Sequence, residues 1–243
     1  MGAENVTPYE GESGSKKEQV AKMFDNISPK YDLLNHTLSL GIDILWRKKA
    51  VRILKQKSPN IVLDVATGTA DFAIENLGSG AQKVIGIDIS AGMLKVGEEK
   101  IKNKKLQDKI SLQLADSENL PFEDNYFDAI TVGFGVRNFE HLEVGLSEIL
   151  RVLKPGGKCL ILEFSKPKKF PVKNIYNFYF KNILPTVGKL VSKDSAAYTY
   201  LPESVNAFPD GKNFTDILEK VGFSNTKINT LSFGIASIYE STK

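Results

Sequence analysis

The stretch Ile61–Asp71, IVLDVATGTAD, decides the fold. A β-branched, apolar run passes into small residues and then into a helix. That order predicts a strand, a tight turn and a helix, the shape that lets backbone come close to a ligand. Twenty residues beyond Gly68 a second apolar run, Lys83–Asp88 (KVIGID), ends in a carboxylate. In nucleotide-binding α/β folds the first turn holds the middle of the ligand, and an acid after the second strand takes the ribose hydroxyls.

Outward from that pair the pattern repeats. Ser90 caps a helix whose Met93, Leu94, Gly97 and Ile101 share one face. Ile110–Ala115 alternates as a third strand, with Asp116 and Ser117 just past its end. Phe127–Gly133 reads as a fourth strand. Glu143–Leu153 reads as a helix with Leu146, Ile149, Leu150 and Leu153 inward. Lys154-Pro155-Gly156-Gly157 is a stop-and-turn signal before a fifth strand, Lys158–Phe164. A helix over Gly211–Val221 and strands near Asn225–Leu231 and Ile235–Glu240 close the chain. Strands alternating with helices predict a doubly wound, mostly parallel sheet.

Upstream, Met1–Gly14 is polar and aperiodic, and reads as a flexible tail. Ser15 with Glu18 forms a capping box, followed by Val20, Met23, Phe24 and Ile27 at helical spacing. Pro29 ends that helix. Tyr31–Arg47 (YDLLNHTLSLGIDILWR) is dense in polar and aromatic groups. A helical cap whose polar groups satisfy one another is its plainer reading. A further helix begins at Asp43 or Trp46 and ends at Pro59. The domain is thus 15–243, with a cap over 15–58 and a lid-like insertion over 166–209 that carries five prolines.

The 243 residues, 42% hydrophobic and 25% charged, suit one soluble α/β domain with a large core. Net charge is +3, unevenly spread: Lys154–Lys193 holds nine lysines and one acid, Glu163. That run is either a solvated face or a surface for anionic headgroups. Cys159 lies in an apolar run and reads as core. Two histidines and no CxxC leave a structural zinc without ligands, so no metal is expected. No apolar run approaches a membrane span, and no secretion or myristoylation pattern fits the start. The expected location is cytoplasmic, with peripheral contact at the inner membrane face left open.

The turn itself selects the ligand. A nicotinamide site wants GxGxxG around a pyrophosphate. Ala66-Thr67-Gly68-Thr69-Ala70-Asp71 has one glycine, and Asp71 sets a negative charge at the helix start. A cationic, phosphate-free ligand fits better, and S-adenosylmethionine has that chemistry. Asp88 would take its ribose and Asp116 with Ser117 its adenine edge.

Two longer stretches carry a resemblance. Arg151–Ser165 (RVLKPGGKCLILEFS) and the Tyr31–Arg47 stretch, with Tyr31, Asp32, Asn35, Leu38, Ser39 and Trp46, resemble the two signatures of the bacterial quinone C-methyltransferases of ubiquinone and menaquinone synthesis. Phe134–Asn138 (FGVRN), Leu120–Phe122 and Tyr200–Ser204 (YLPES) are also similar to that family. Asp43 stands where many members carry His. The alanines at 66 and 70 match the family's relaxed form of the turn. The resemblance implies a class I S-adenosylmethionine-dependent methyltransferase: a seven-stranded, mostly parallel sheet with an antiparallel last strand. It implies a cofactor set of Asp64, Gly68, Thr69, Asp88, Asp116 and Ser117. It also implies methyl transfer to a ring carbon of a prenylated hydroquinone, demethylmenaquinol or its benzoquinol counterpart.

For the chemistry, Arg137 would orient or stabilise the hydroquinone oxygen and Asn138 would hold it, with Arg137 pairing to a helix carboxylate as the plainer reading. Asp32, His36 and Asp43 are competing bases, while His141 reads as a helix N-terminal residue. Phe170, Ile175, Tyr176, Phe178, Tyr179, Phe180, Ile183 and Leu184 interleave with lysines, which predicts a lid and tunnel for a prenyl tail or, more plainly, a covering helix. Rival readings are a methyltransferase for a sterol or small phenol, a non-catalytic nucleotide-binding module and a nicotinamide oxidoreductase. No RNA-binding pattern is present, and a homodimer is left open.

Overall fold

The computed structural model describes residues 6–9, 11–183 and 196–243. Its seven strands are β1 (Ile61–Val65), β2 (Lys83–Asp88), β3 (Ile110–Leu114), β4 (Phe127–Gly133), β5 (Leu153–Phe164), β6 (Ser224–Leu231) and β7 (Ala236–Thr242). They form one sheet in the order β3-β2-β1-β4-β5-β7-β6. The first five run parallel, and β7 is antiparallel to both β5 and β6. The expected class I methyltransferase sheet is present, its last strand reversed.

Both faces of the sheet are covered, because β1 alternates. Leu63 and Val65 pack on one side with helices α6 (Leu142–Val152) and α9 (Lys212–Val221). Val62 packs on the other side with α3 (Ile42–Lys55), α4 (Asp71–Asn76) and α5 (Ala91–Asn103). Cys159 is buried in the first of these cores. A third apolar cluster holds the cap. Val20, Met23 and Ile27 of α1 (Lys16–Ile27) meet Leu34 of α2 (Tyr31–Leu38), Met93 of α5 and Tyr200 of α8 (Ala196–Ala207). Each such buried side chain contributes roughly 1.5–3 kcal/mol, enough to seat the cap over the carboxyl ends of the strands. Helix α7 (Val172–Phe178) and a π turn, Tyr179–Ile183, follow β5.

Local signals translate directly. Ser15 and Glu18 make the reciprocal capping box, and Ser90 accepts the Met93 N–H at the head of α5. Met93, Leu94, Gly97 and Ile101 are all buried.

Two expectations change. Lys154–Gly157 does not stop the chain; β5 runs through it as one twelve-residue strand. Gly156 takes φ +74° and donates its N–H to Lys243 O, while Lys243 N donates to Gly157 O. A bulge beside β4, between Phe127 and Ala129, absorbs the irregularity. The polar start is not loose where it is described. Tyr9 N–H donates to Gln19 Oε1 at 3.0 Å, and its ring sits 4.8 Å from the Lys22 ammonium. Pro29 follows the end of α1 at Ile27, as expected, within a 3₁₀ turn, Ser28–Lys30, that leads into α2. Residues 1–5 and 10, and Leu184 and Pro185 of the insertion, lie outside the described residues.

Candidate active site

The strand ends and the cap enclose one hollow. Its envelope, which takes in open solvent, spans about 650 Å³. Ala66 and Gly68 follow β1; Ile87 and Asp88 end β2; Asp116 and Ser117 follow β3; Phe134, Gly135 and Asn138 follow β4. Lys17, Val20, Phe24 and Tyr31 roof it from α1 and α2.

The turn after β1 is held by its neighbours. Ala66, Gly68 and Ala70 all have positive φ, at +54°, +56° and +66°. Two of them are alanines, in a region that costs a side chain roughly 1–2 kcal/mol. The missing glycines have moved to the facing elements. A Cβ at Gly135 would sit 2.5 Å from Ala66 Cβ, and one at Gly97 3.2 Å from Ala70 Cβ. Beneath the turn the Asp64 carboxylate accepts the Thr67 and Thr131 hydroxyls at 2.6 and 2.7 Å. Burial pushes Asp64 up to about 6, against the pull of those two hydroxyls. Asp88 accepts Gly68 N–H at 2.8 Å and Ser90 N–H at 2.9 Å. Burial pushes its carboxyl upward despite these donors.

The hollow therefore gathers Gly68, Asp88, Asp116, Ser117 and Asn138 from the expected set. Asp64 is fully buried below the turn and supports it instead of lining the hollow. Thr69 is turned away as well: its hydroxyl donates to Asp32 and receives Lys100 Nζ at 3.2 Å. Arg137 is also absent from the lining. Its guanidinium donates to Glu163 Oε1 at 2.9 Å and to the Phe134 carbonyl. The partner is a strand carboxylate, not a helix one. Arg137 Nε and Glu163 Oε2 are buried without a partner.

The three rival bases are all engaged elsewhere, His36 and Asp43 with each other and His36 with α4. His36 Nδ1 lies 3.1 Å from Asp43 and its Nε2 3.3 Å from Asp71. Asp43 also receives Ser39 and Arg47 at 2.6 Å each. Asp32 pairs with Lys100 at 2.7 Å. None of them lines the hollow. Asp71, expected to face the ligand, is itself paired with Lys100 at 2.6 Å and Arg47 at 3.3 Å. His141 is the residue before α6 and pairs with Glu118 at 3.0 Å.

Lys17 of the lining, and Tyr200 and Asp25 behind it, had no local signal. Lys17, one turn into an ordinary capped helix, bridges Asp116 and Glu118, the latter at 3.2 Å. Tyr200 of α8 donates its hydroxyl to Asn138 Oδ1 at 3.1 Å. Asp25 of α1 accepts Ser90 Oγ and Gly92 N–H, at 2.6 and 2.8 Å, which bolts the cap to the head of α5. These contacts span 62 to 101 residues, so no periodicity encodes them. Asp25 aside, a polar residue in a predicted apolar strand, Glu163, was the one readable hint.

The lining carries Asp88, Asp116, Glu118 and Glu140 against a single ammonium, Lys17, which two of those carboxylates already neutralise. Such a hollow repels a pyrophosphate and favours a cation with hydroxyl donors. That donor set fits S-adenosylmethionine.

The chain's relatives agree with this chemistry. A family model described as the ubiE/COQ5 methyltransferase family matches residues 12–243. The demethylmenaquinone methyltransferase of Bacteroides fragilis is 52% identical over 241 residues, covering 99% of this chain and 98% of that protein. The Porphyromonas gingivalis protein of the same name is 44% identical over 243 residues, covering 99% and 98%. The ubiquinone/menaquinone biosynthesis C-methyltransferase UbiE of Geotalea daltonii is 44% identical, covering 94% and 97%. Among solved structures, the [4+2]-cyclase SpnF superposes with a TM-score of 0.65 at 17% identity, over 93% of this chain and 96% of that one. An S-adenosylmethionine-dependent methyltransferase of Thermotoga maritima superposes with 0.64 at 18%, over 92% and 99%. At those identities the likeness concerns the fold alone.

Proposed function

The chain belongs to the ubiE/COQ5 methyltransferase family, and from that premise we propose that it methylates a ring carbon of demethylmenaquinol, with S-adenosylmethionine as the donor. The observation that carries this reading is full-length likeness to demethylmenaquinone methyltransferases, joined to an acidic hollow at the strand ends. Asp88 would take the ribose hydroxyls, Asp116 and Ser117 the adenine edge, and Gly68 the close backbone approach. Thr69 and Asp64 would act at one remove, by holding the turn. When bound, the donor supplies an electrophilic methyl group on a sulfonium.

The chain's own task is to make the ring carbon nucleophilic. A phenol-like hydroxyl has a pKa of about 10, so its proton must leave or its anion must be held. Asn138 faces the hollow. Its Oδ1 is taken by Tyr200, which leaves its amide N–H groups for a ring oxygen. Arg137 lies behind the same turn and favours a developing negative charge there. A positioned proton acceptor is worth roughly 10²–10⁴-fold in rate. The roof of Phe24, Val20 and Tyr31 gives the step an apolar side.

The direct test is turnover of short-tailed demethylmenaquinol with isotopically labelled donor. Labelled naphthoquinol is the expected product; none, with donor bound, overturns the reading. A benzoquinol substrate is the second reading, favoured by the double name of the Geotalea relative, and belongs in the same assay.

A further inference from the structure

Thirteen large apolar side chains are exposed among the described residues, and nine of them fall on three segments. Leu33, Leu40, Ile42 and Leu45 lie on α2, α3 and the turn between them. Phe170, Ile175, Phe178 and Ile183 lie on α7 and its flanks. Phe233 stands at the tip of the turn between β6 and β7. Leu40 and Phe233 are each 85% exposed and Phe170 81%. Monomers seldom concentrate such groups without an interaction to serve.

The three segments touch one another. Tyr179 Oη donates to Leu38 O at 2.9 Å, and Trp46 Nε1 to Ser232 Oγ at 2.9 Å. A Cβ at Gly234 would lie 3.3 Å from Pro167 Cα. The charge is one-sided: from Lys166 to Ile183 there is no acid. Lys168, Lys169 and Lys173 are exposed. An aromatic file joins this face to the hollow. Phe134, which lines the hollow, lies 4.7 Å from Phe164; Phe164 lies 6.2 Å from Phe180, and Phe180 stacks on Tyr176 at 4.2 Å.

We propose that this face docks on an anionic lipid bilayer, with Leu40, Leu45, Phe233, Phe170 and Ile175 entering the headgroup boundary and the lysines meeting lipid phosphates. No helix among the described residues is long and apolar enough to cross a membrane, so the contact is peripheral. A lipid surface fits better than a protein partner, because the apolar groups stand singly on turns and helix ends and interleave with lysines whose stems can snorkel. The reason for docking, a quinol whose tail lies in the bilayer, rests on the function proposed above.

Vesicle sedimentation tests the docking without any quinol. The wild-type chain should bind phosphatidylglycerol-containing vesicles, bind phosphatidylcholine vesicles less, and lose the difference at high salt. Leu40→Asp/Phe233→Asp should weaken binding by about tenfold or more, with circular dichroism and turnover of a tail-less quinol unchanged. Phe170→Asp/Ile175→Asp, on a separate segment, should do the same if the first pair perturbs folding. Wild-type chain that ignores anionic vesicles, or variants that bind them fully, would overturn the proposal. So would a dimer in solution that these variants break, because a second copy would then be the occupant. Failure of tail-less turnover in the wild-type chain would instead count against the function.

Discussion

Gly135 leaves the room that the Ala66 methyl group fills: a Cβ at position 135 would stand 2.5 Å from Ala66 Cβ. Ala66 holds a left-handed backbone at φ +54°, whereas Gly135, at φ −111°, occupies a conformation open to any residue. The pair thus places its one methyl on the strained side. Gly135→Ala alone should cost about 1–3 kcal/mol through overpacking and weaken donor binding, because the turn must shift. The exchange Ala66→Gly/Gly135→Ala moves the methyl to the relaxed side. It should recover stability to within about 1 kcal/mol of wild type. Urea midpoints of wild type and the two variants measure this.

Asp64 makes stability depend on pH in an unusual direction. Burial pushes its folded pKa up to about 6, from an ordinary 3.8. A carboxyl raised on folding stabilises fully below its unfolded pKa and loses that contribution as pH rises through the folded value. The chain should therefore lose about 3 kcal/mol between roughly pH 4 and pH 6 from this group. Asp64→Asn, which can still meet the Thr67 and Thr131 hydroxyls, should flatten the curve over that window. Denaturation of both proteins across the range is the check; parallel curves would remove Asp64 as the cause.

Lys17 lets charge at the hollow be read out directly. It neutralises Asp116 and Glu118 from the roof. The methyl donor carries one more positive charge than its demethylated product. Lys17→Met should favour the donor over the product by about two- to fivefold, an effect that salt suppresses. Calorimetric titration of both ligands at low and high salt gives the ratio. An unchanged ratio would place the sulfonium beyond the reach of these carboxylates.

Much of this arrangement was legible in the chain, for a physical reason. Strand period, the Ser15–Glu18 box and the Ser90 cap are local, and local order survives folding unchanged. The carboxylate ending β2 and the pair after β3 were legible because an open parallel sheet sends every strand end to one edge. What stayed hidden depends on contacts remote in sequence. Arg137 was aimed at substrate, but Glu163, on the next strand, holds it. Lys154–Gly157 looked like a stop because Pro and Gly usually are one; the chain end at Lys243 supplied the missing hydrogen bonds. Ala66 and Ala70 looked like departures from a glycine pattern until the glycines opposite them came into contact.

The Arg137–Glu163 pair calls for a test that separates fold from chemistry. Removing one member of a buried ion pair strands the other, at about 3–5 kcal/mol. Arg137→Met should therefore unfold at lower urea, and Arg137→Met/Glu163→Gln should regain most of the loss. Turnover of that double variant isolates the charge: it should bind donor normally and turn over slower by roughly 10²-fold or more.

Tyr200 bears on the same ring oxygen from the other side. Its hydroxyl fixes the Asn138 amide so that the N–H groups face the hollow, and burial pushes that hydroxyl's pKa upward, which keeps it a donor. Tyr200→Phe frees the amide to flip and present its oxygen to the ring instead. A net hydrogen bond is worth about 0.5–1.5 kcal/mol, so kcat should fall by roughly three- to tenfold. The donor contacts other groups, so its KM should hold. A fall in kcat joined to a rise in that KM would mean that Tyr200 supports the pocket as a whole. A fall in kcat alone places the Asn138 amide at the hydroquinone oxygen, and Asn138→Ala should then lose at least as much.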